Sequence, residues 1–346
     1  MAAFRSFSSC VLARALALAG LLVLSPAAWA DPTQYPLTIR NCGVDVTFDH
    51  APRRAVSIGQ SSTEILLSLG LADRIVGTAV WFGPVLPAYE AANAKIPRLA
   101  DNDPSFESVV GTEPELVTAQ FEWHVGPKGS VGTREQFAGL GIPTYISPAD
   151  CVAKDNSGGG DGVRRQLFTM DLVYREIRDL ARIFDMSDRG EALVAELRQR
   201  EAAAIASVAG RQAGGVPVVF WFSSKEVAGE AFVAGRNGVP AWILRQLGAR
   251  NVITTEEEWP LVSWERIAAA DPAIIVLGQM SRRRYPADDI AAKLGFLAGD
   301  PVASRLQAVR DKHFVVMDVQ AMQPSIRAVD GIEALARGIK SFGLGG

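Results

Sequence analysis

Cysteine is scarce in this sequence: Cys10, Cys42 and Cys151 are the only three in 346 residues. No Cys-x-x-Cys pair exists, which removes the usual thiol redox and zinc-ribbon patterns. Histidine is as rare, with His50, His124 and His313 far apart, so a histidine-built metal site lacks its clustered ligands. Catalytic signatures are missing too. There is no Gly-x-Ser-x-Gly elbow, no His-Glu-x-x-His helix, and no Gly-Lys-Ser/Thr ending to the glycine-rich stretch near residue 160. Basic residues number 35 against 38 acidic ones, a balance that argues against nucleic acid as a partner. Beyond residue 30, no apolar run reaches the roughly 20 residues a bilayer span needs.

The N-terminus does carry a signal. Arg5 and Arg14 precede an apolar stretch from Ala15 to Leu24, and Ala28-Trp29-Ala30 is a small-x-small cleavage site. Residues 1–30 read as a signal peptide cleaved after Ala30, giving a periplasmic product. Cys10 lies before the apolar stretch, so it cannot carry a lipoprotein anchor. Cleavage leaves 33 basic and 38 acidic residues, a net charge of −5 with histidine neutral. Cys42 and Cys151 then remain as a candidate disulfide in an oxidising compartment, with two buried thiols as the alternative.

A mature chain of 316 residues exceeds the size at which one core keeps growing, so two lobes are expected. Strand, turn and helix alternate from Arg54-Ala-Val-Ser-Ile58 onward, through Arg74–Val80 and Leu116–Ala119, which predicts parallel sheets flanked by helices. Ser61 and Glu64 stand at capping-box spacing. Residues 155–162 are polar and glycine-rich, the composition of a flexible surface loop. Two helices are predicted next, Phe168–Phe184 and Asp188–Ala209, the second capped by Asp188 with Glu191. The alternation restarts at Val216. The predicted organisation is an N-terminal lobe over 31–185, a linking helix over 186–210 and a C-terminal lobe over 211–346.

Ser105-Phe-Glu-Ser-Val-Val-Gly-Thr-Glu-Pro-Glu-Leu-Val117 echoes Ser263-Trp-Glu-Arg-Ile-Ala-Ala-Ala-Asp-Pro-Ala-Ile-Ile275, each matched position 158 apart. Each copy offers a capping serine, an aromatic, a glutamate in the first helical turn, and an acid-proline pair before an apolar strand. With Pro52–Ile58, Thr63-Glu-Ile-Leu66, Leu69–Gly77, Leu140-Gly-Ile-Pro143, Val233-Ala-Gly235 and Trp259-Pro260 in this order, nearly the whole mature chain resembles the periplasmic binding proteins for cobalamin, haem and ferric siderophores. The resemblance implies two Rossmann-like α/β lobes with parallel sheets, joined by a single long α-helix and holding a ligand between them. It implies an ABC importer as partner, with Glu107 and Glu265 meeting the two subunits of a two-fold permease. It implies no enzyme, no covalently bound cofactor, and a monomer.

Ligands of open parallel sheets bind beyond the carboxyl ends of the strands. Trp81, Phe82, Trp123, Trp221, Phe222 and Trp259 are expected there, as aromatic walls for a large chelate. Arg236, Arg327 and the run Arg282-Arg283-Arg284 suit anionic oxygens, and at least one of the run is expected to face the cleft. Gln60, Asn102, Gln279 and Gln323 are candidates for neutral hydrogen bonds, and His124 for a ligand contact with an axial role. The arginines favour an Fe(III)-siderophore. Haem-binding relatives commonly supply a tyrosine where this chain has Arg98–Asp103, which counts against haem, and a corrinoid is the alternative. A secreted two-lobed enzyme, with Asp101 and Asp103 as paired acids, and a periplasmic sensor are the remote readings.

Overall fold

The computed structural model describes residues 1, 31–158, 161–210, 215–282 and 284–344. The expected leader and cleavage site, Met1 apart, and Arg283 lie outside the described residues. Contacts divide the chain between Asp31 and Pro32, and both large sheets lie in the unit that begins at Pro32. No helix among the described residues is long and apolar enough to cross a membrane.

Strands β1 (Leu37–Asn41) and β2 (Val44–Phe48) make an antiparallel hairpin. The first large sheet is wholly parallel. It is built from β3 (Ala55–Ile58), β4 (Ile75–Ala79), β5 (Arg98–Ala100), β6 (Leu116–Ala119) and β7 (Thr144–Ile146), in the order β5-β4-β3-β6-β7. Central β3 and β6 bury every residue, as strands covered on both faces must. The helices interleaved with them are α1 (Gln60–Ser68), α2 (Glu90–Asn93), α3 (Phe106–Val110), α4 (Glu122–Val125) and α5 (Arg134–Ala138). The turn from β3 into α1 needs Gly59: at φ 133° its added Cβ would stand 2.3 Å from the Gln120 Cβ. Gly59 is also the N-cap of α1, so Ser61 and Glu64 fall inside the helix and do not form the predicted capping box.

The glycine-rich segment also departs from expectation. Its stems pair as β8 (Lys154–Asp155) and β9 (Val163–Arg164), and Lys154 and Arg164 are buried side chains. What was expected as a free loop is docked, because Arg164 N–H donates to Glu256 O, Glu258 N–H to Gly162 O, and Phe168 N–H to Asn237 O. Among its described residues, Ser157, Gly158 and Asp161 are exposed.

Helices α6 (Asp171–Ile183) and α7 (Ser187–Ala206) follow. At 1.5 Å per residue, the 20 residues of α7 run about 30 Å. It has no side-chain cap. Asp188 sits in the first turn, and Glu191 instead takes both branches of Arg178 from α6, at 2.7 and 2.9 Å.

The second large sheet centres on β10 (Pro217–Ser223). Around it are β11 (Ala231–Val233), helix α8 (Val239–Gln246), β12 (Arg250–Asn251), β13 (Leu261–Val262), helix α9 (Trp264–Ala270) and β14 (Ile274–Gln279). Helices α10 (Ile290–Gly299) and α11 (Gln307–Arg310), strand β15 (Phe314–Asp318) and helix α12 (Ala328–Ser341) complete it. The order is β13-β11-β10-β14-β15, with β12 also on β10. β12, β14 and β15 are parallel partners, but β11 is antiparallel to β10, and β13 to β11. The link from Ser223 to Ala231 is too short for a crossover helix, and a short connection forces antiparallel pairing. The two repeat copies land on equivalent units, α3 into β6 and α9 into β14, each beside its central strand.

The first lobe hides an ionisable carboxyl. Glu176 of α6 is buried, accepts hydrogen bonds from Ser62 and Ser147, and is pushed up by burial to about 7. Between its unfolded value of 4.5 and about 7, the folded state holds a proton that the unfolded chain has lost, so stability falls as pH rises through that window. The loss is on the order of 3 kcal/mol. Glu176→Gln, which carries no charge at any pH, is expected to flatten this slope in denaturant unfolding between pH 5 and pH 8. A variant that keeps the full wild-type slope would refute the assignment.

Candidate functional site

The carboxyl ends of the two sheets meet. From the first lobe, the turn after β4 presents Trp81–Leu86, the turn after β5 presents Asp101–Asp103, and the turn after β6 leads into α4 with Trp123 and His124. The second lobe contributes Met280–Tyr285 after β14 and the turn Val319–Arg327 after β15. Ser281 and Arg282 N–H both donate to Phe82 O, at 2.9 and 3.1 Å. Arg282 lays its guanidinium over the Phe82 ring, 4.1 Å from the centroid, and donates to Asn102 Oδ1 at 3.3 Å. Its Nε is buried with no hydrogen-bond partner, and burial lowers its pKa. The half-buried guanidinium keeps its charge at this junction, where an anionic oxygen is the complementary group.

Asp288 shapes the arginine loop from beneath. It accepts the N–H groups of Arg284 and Tyr285 at 2.7 and 2.9 Å and the Ser223 hydroxyl at 2.5 Å. Under the same strand ends, the buried Lys293 ammonium donates to Phe222 O and Gly278 O, both at 2.6 Å. Both groups escaped the sequence reading. The signal available was the run of charge from Arg282 to Asp289, which must fold back on itself to be satisfied.

Opposite, His124 is fully buried between the Phe121 and Trp123 rings, at 5.8 and 4.8 Å. Its Nε2 stands 3.3 Å from Asp103 Oδ1, and this contact holds the Asp103 carboxyl below its ordinary value. The positive charge of Arg284 acts on Asp103 in the same direction. Trp123 is 51 % exposed, a large apolar surface left open beside these charges. Phe222 and Trp259 pack ring on ring at 4.8 Å, and Trp259 keeps only a small exposed edge.

Several expected contacts are placed elsewhere. Trp221 is buried on the far face of β10, against Trp264 and Phe296, because neighbours in a strand point to opposite faces. That alternation, readable from the sequence, allowed only one of Trp221 and Phe222 to face the cleft. Trp81 is core, its indole N–H on Thr78 and Arg98 over its ring. Arg236 lies beyond β11, toward the amino end of β10, in an ion pair with Glu256. Gln60 is buried and spends its amide on Phe82 N–H, Gly83 N–H and Pro84 O. Arg327 is committed to Glu64 and Asp318. Gln323 is buried in the turn after β15, and Gln279 is exposed at the end of β14.

Away from the cleft, Glu107 and Glu265 are exposed in the first turns of α3 and α9. Their caps match closely, Ser105 at φ −73°, ψ 154° and Ser263 at φ −72°, ψ 153°. Cys42 and Cys151 are joined, with Cα atoms 5.6 Å apart. Among the described residues, no group of three or more histidine, cysteine, aspartate or glutamate side chains could hold a metal ion.

Residues 56–321 match the protein family described as periplasmic binding protein. A cobalamin-binding protein of Halobacterium salinarum is 25% identical over 244 residues, 69% of this chain, which spans only 57% of that relative's length. A solved structure from Saccharomonospora viridis DSM 43017, described as an ABC-type Fe3+-hydroxamate transport system, is 29% identical. It covers 90% of this chain and 100% of its own at a TM-score of 0.70. A periplasmic binding protein from Veillonella parvula shares the fold at a TM-score of 0.72, with 23% identity over 88% of this chain and 97% of that one.

Proposed function

The chain belongs to the periplasmic binding protein family, and from that premise we propose that it captures a ferric siderophore between its lobes and delivers it to an ABC importer. The observation that carries this reading is Arg282, held at the junction of the lobes with Phe82 under its guanidinium and Nε unpaired. The charge of its half-buried guanidinium suits an oxygen of a ferric chelate, while Trp123 offers an aromatic wall to the organic shell. Arg284, Asn102, Phe222 and the exposed edge of Trp259 complete the proposed ligand surface, and His124, fully buried, backs it through Asp103. Arg283, between the two cleft arginines, belongs to the proposal by sequence alone. Iron enters as cargo inside its chelate.

The likeness to a ferric-hydroxamate transport structure supports the siderophore, and the cobalamin-binding relative supports a corrinoid as the second reading. Export through a leader cleaved after Ala30, the division into lobes at 31–185 and 211–346, and action as a monomer belong to the same proposal, as does importer docking through Glu107 and Glu265.

Tryptophan fluorescence, with Trp123 as the exposed reporter, separates these ligands when the mature protein is titrated with ferric hydroxamates, ferric catecholates, haemin and cobalamin. Saturable quenching by a ferric siderophore is expected. Quenching by cobalamin or haemin alone would sink the siderophore reading. Arg282→Gln is expected to weaken siderophore binding roughly 10- to 150-fold, the worth of a hydrogen bond to a charged group. An unchanged Kd would remove Arg282 from the site.

A further inference from the structure

Glu64 and Arg327 are buried charges at the meeting of the lobes, and the ligand reading above leaves them unused. Glu64, on α1 of the first lobe, is fully buried, and Arg327, just before α12 of the second, is 7% exposed. They form a two-pronged pair, with Nε donating to Oε2 at 2.8 Å and Nη2 to Oε1. The pair has further partners. Arg327 Nη2 also donates to Pro84 O at 2.7 Å, and Nη1 to Asp318 Oδ2 at 3.2 Å. Glu64 Oε1 also accepts from Leu86 N–H and the Gln60 amide, each at 3.2 Å. Ser61 adds another cross-lobe bond to Pro324 O at 3.2 Å.

We propose that Glu64 and Arg327 form an inter-lobe latch that keeps the lobes together with the cleft empty and so positions Arg282. Both sides of the Trp81–Leu86 turn are held by this network. Gln60 and Glu64 fix the turn to α1 through Phe82, Gly83 and Leu86 N–H, and Arg327 ties its Pro84 carbonyl to the second lobe. The same turn supplies the carbonyl that accepts Ser281 and Arg282 N–H, and the ring beneath the Arg282 guanidinium. The latch therefore sets the platform on which Arg282 rests. A buried network bonded this densely is stable as a unit, and parting its halves leaves charges desolvated and unpaired. Ligand is not among its members. Lobe closure here precedes capture, and separation belongs to the release step. That Arg282 then meets a ligand rests on the reading above; the latch itself does not depend on which ligand binds.

Two measurements on ligand-free protein test this. In the wild type, amide hydrogen exchange at Ser281 and Arg282 is expected to be slowed by about a hundredfold or more over an unstructured peptide, because both N–H groups lie across the closed interface. Unprotected exchange there in a folded protein overturns the latch. For the second, Glu64→Met and Arg327→Met are combined, so that no charge is stranded. Spin labels are placed at exposed sites on the two lobes through Glu135→Cys and Ala298→Cys in protein starting at Asp31, where Cys42 and Cys151 are joined to each other. The wild-type background is expected to give one narrow inter-label distance, and the latchless background a longer or broader one with exchange restored at Ser281 and Arg282. If the double variant keeps both the narrow distance and the protection, the pair does not hold the lobes. If it fails to fold, the wild-type exchange result alone decides. Neither reading uses ligand, so a failed latch and a mistaken ligand are told apart.

Discussion

Reversing charge at both Glu107 and Glu265, as Glu107→Lys with Glu265→Lys, is expected to abolish importer-dependent uptake while ligand affinity stays within about twofold. Both carboxylates are exposed in first helical turns on duplicated units, so neither supports the fold through a buried contact, and surface substitutions of this kind change stability little. The helix dipole adds at most about 1 kcal/mol at each site. A charge pair buried against a permease is another matter, since losing one partner costs about 2–5 kcal/mol and a reversed charge adds repulsion. Two such sites acting through one rigid body multiply the loss. Uptake of labelled ligand in cells, alongside fluorescence titration of the purified variant, separates the effects. Normal uptake by the double reversal would dismiss the docking assignment, and a large loss of affinity would mean that these residues shape the cleft.

The second large effect concerns the Cys42–Cys151 bond. It closes a loop spanning 109 positions, for which chain entropy predicts a stabilisation of about 4–5 kcal/mol. The bond joins the turn of the β1–β2 hairpin to the foot of the β8–β9 hairpin. Asn41 strengthens the same junction, donating to Ile146 O at 2.7 Å and accepting Ile146 N–H at 2.9 Å. Cys42→Ala with Cys151→Ala is therefore expected to lower the denaturant midpoint by the equivalent of that energy, and to raise protease sensitivity first near residues 154–164. A midpoint equal to that of the oxidised wild type would show that the folded state gains nothing from the link.

The central strands were legible because burial on both faces leaves a signature of its own, as in Ala55–Ile58 and Leu116–Ala119. The repeat at an offset of 158 marks α3 with β6 and α9 with β14. Short β5 and β7 carried too few residues to register. Of the proposed ligand surface, only the loops had a sequence signal: Trp123, His124, Asn102, Arg282 and Arg284 stand at strand ends, where they were expected. Which face Trp221 would take, and what Glu64 would meet, depended on contacts no local pattern encodes. Glu64 and Arg327 are 263 positions apart. At short range, Glu64 has a serine three residues before it and so resembles an ordinary cap. The segment over 155–162 misled for a related reason. Glycine and polar residues describe a tip, whereas the buried stems are decided by Lys154 and Arg164 finding Glu258, at 3.2 and 3.3 Å.

That docked hairpin has a mechanical consequence. Two bodies tied by one strut can swing, and tied at two points they can still turn about the line between them. Here the second lobe is reached by α7, by the β8–β9 stems, by Arg327, by Ser61 on Pro324 and by Phe82 beneath Ser281 and Arg282, fastenings from separate stretches of chain. Each fastening off a shared line removes one freedom, so the assembly behaves as a clamped frame whose opening requires a fastening to be undone. The disulfide ties the foot of the β8–β9 stems to the first lobe, and α7 is continuous backbone. The reversible fastenings are then the non-covalent ones, Arg327 on Glu64 and the grip of Lys154 and Arg164 on Glu258.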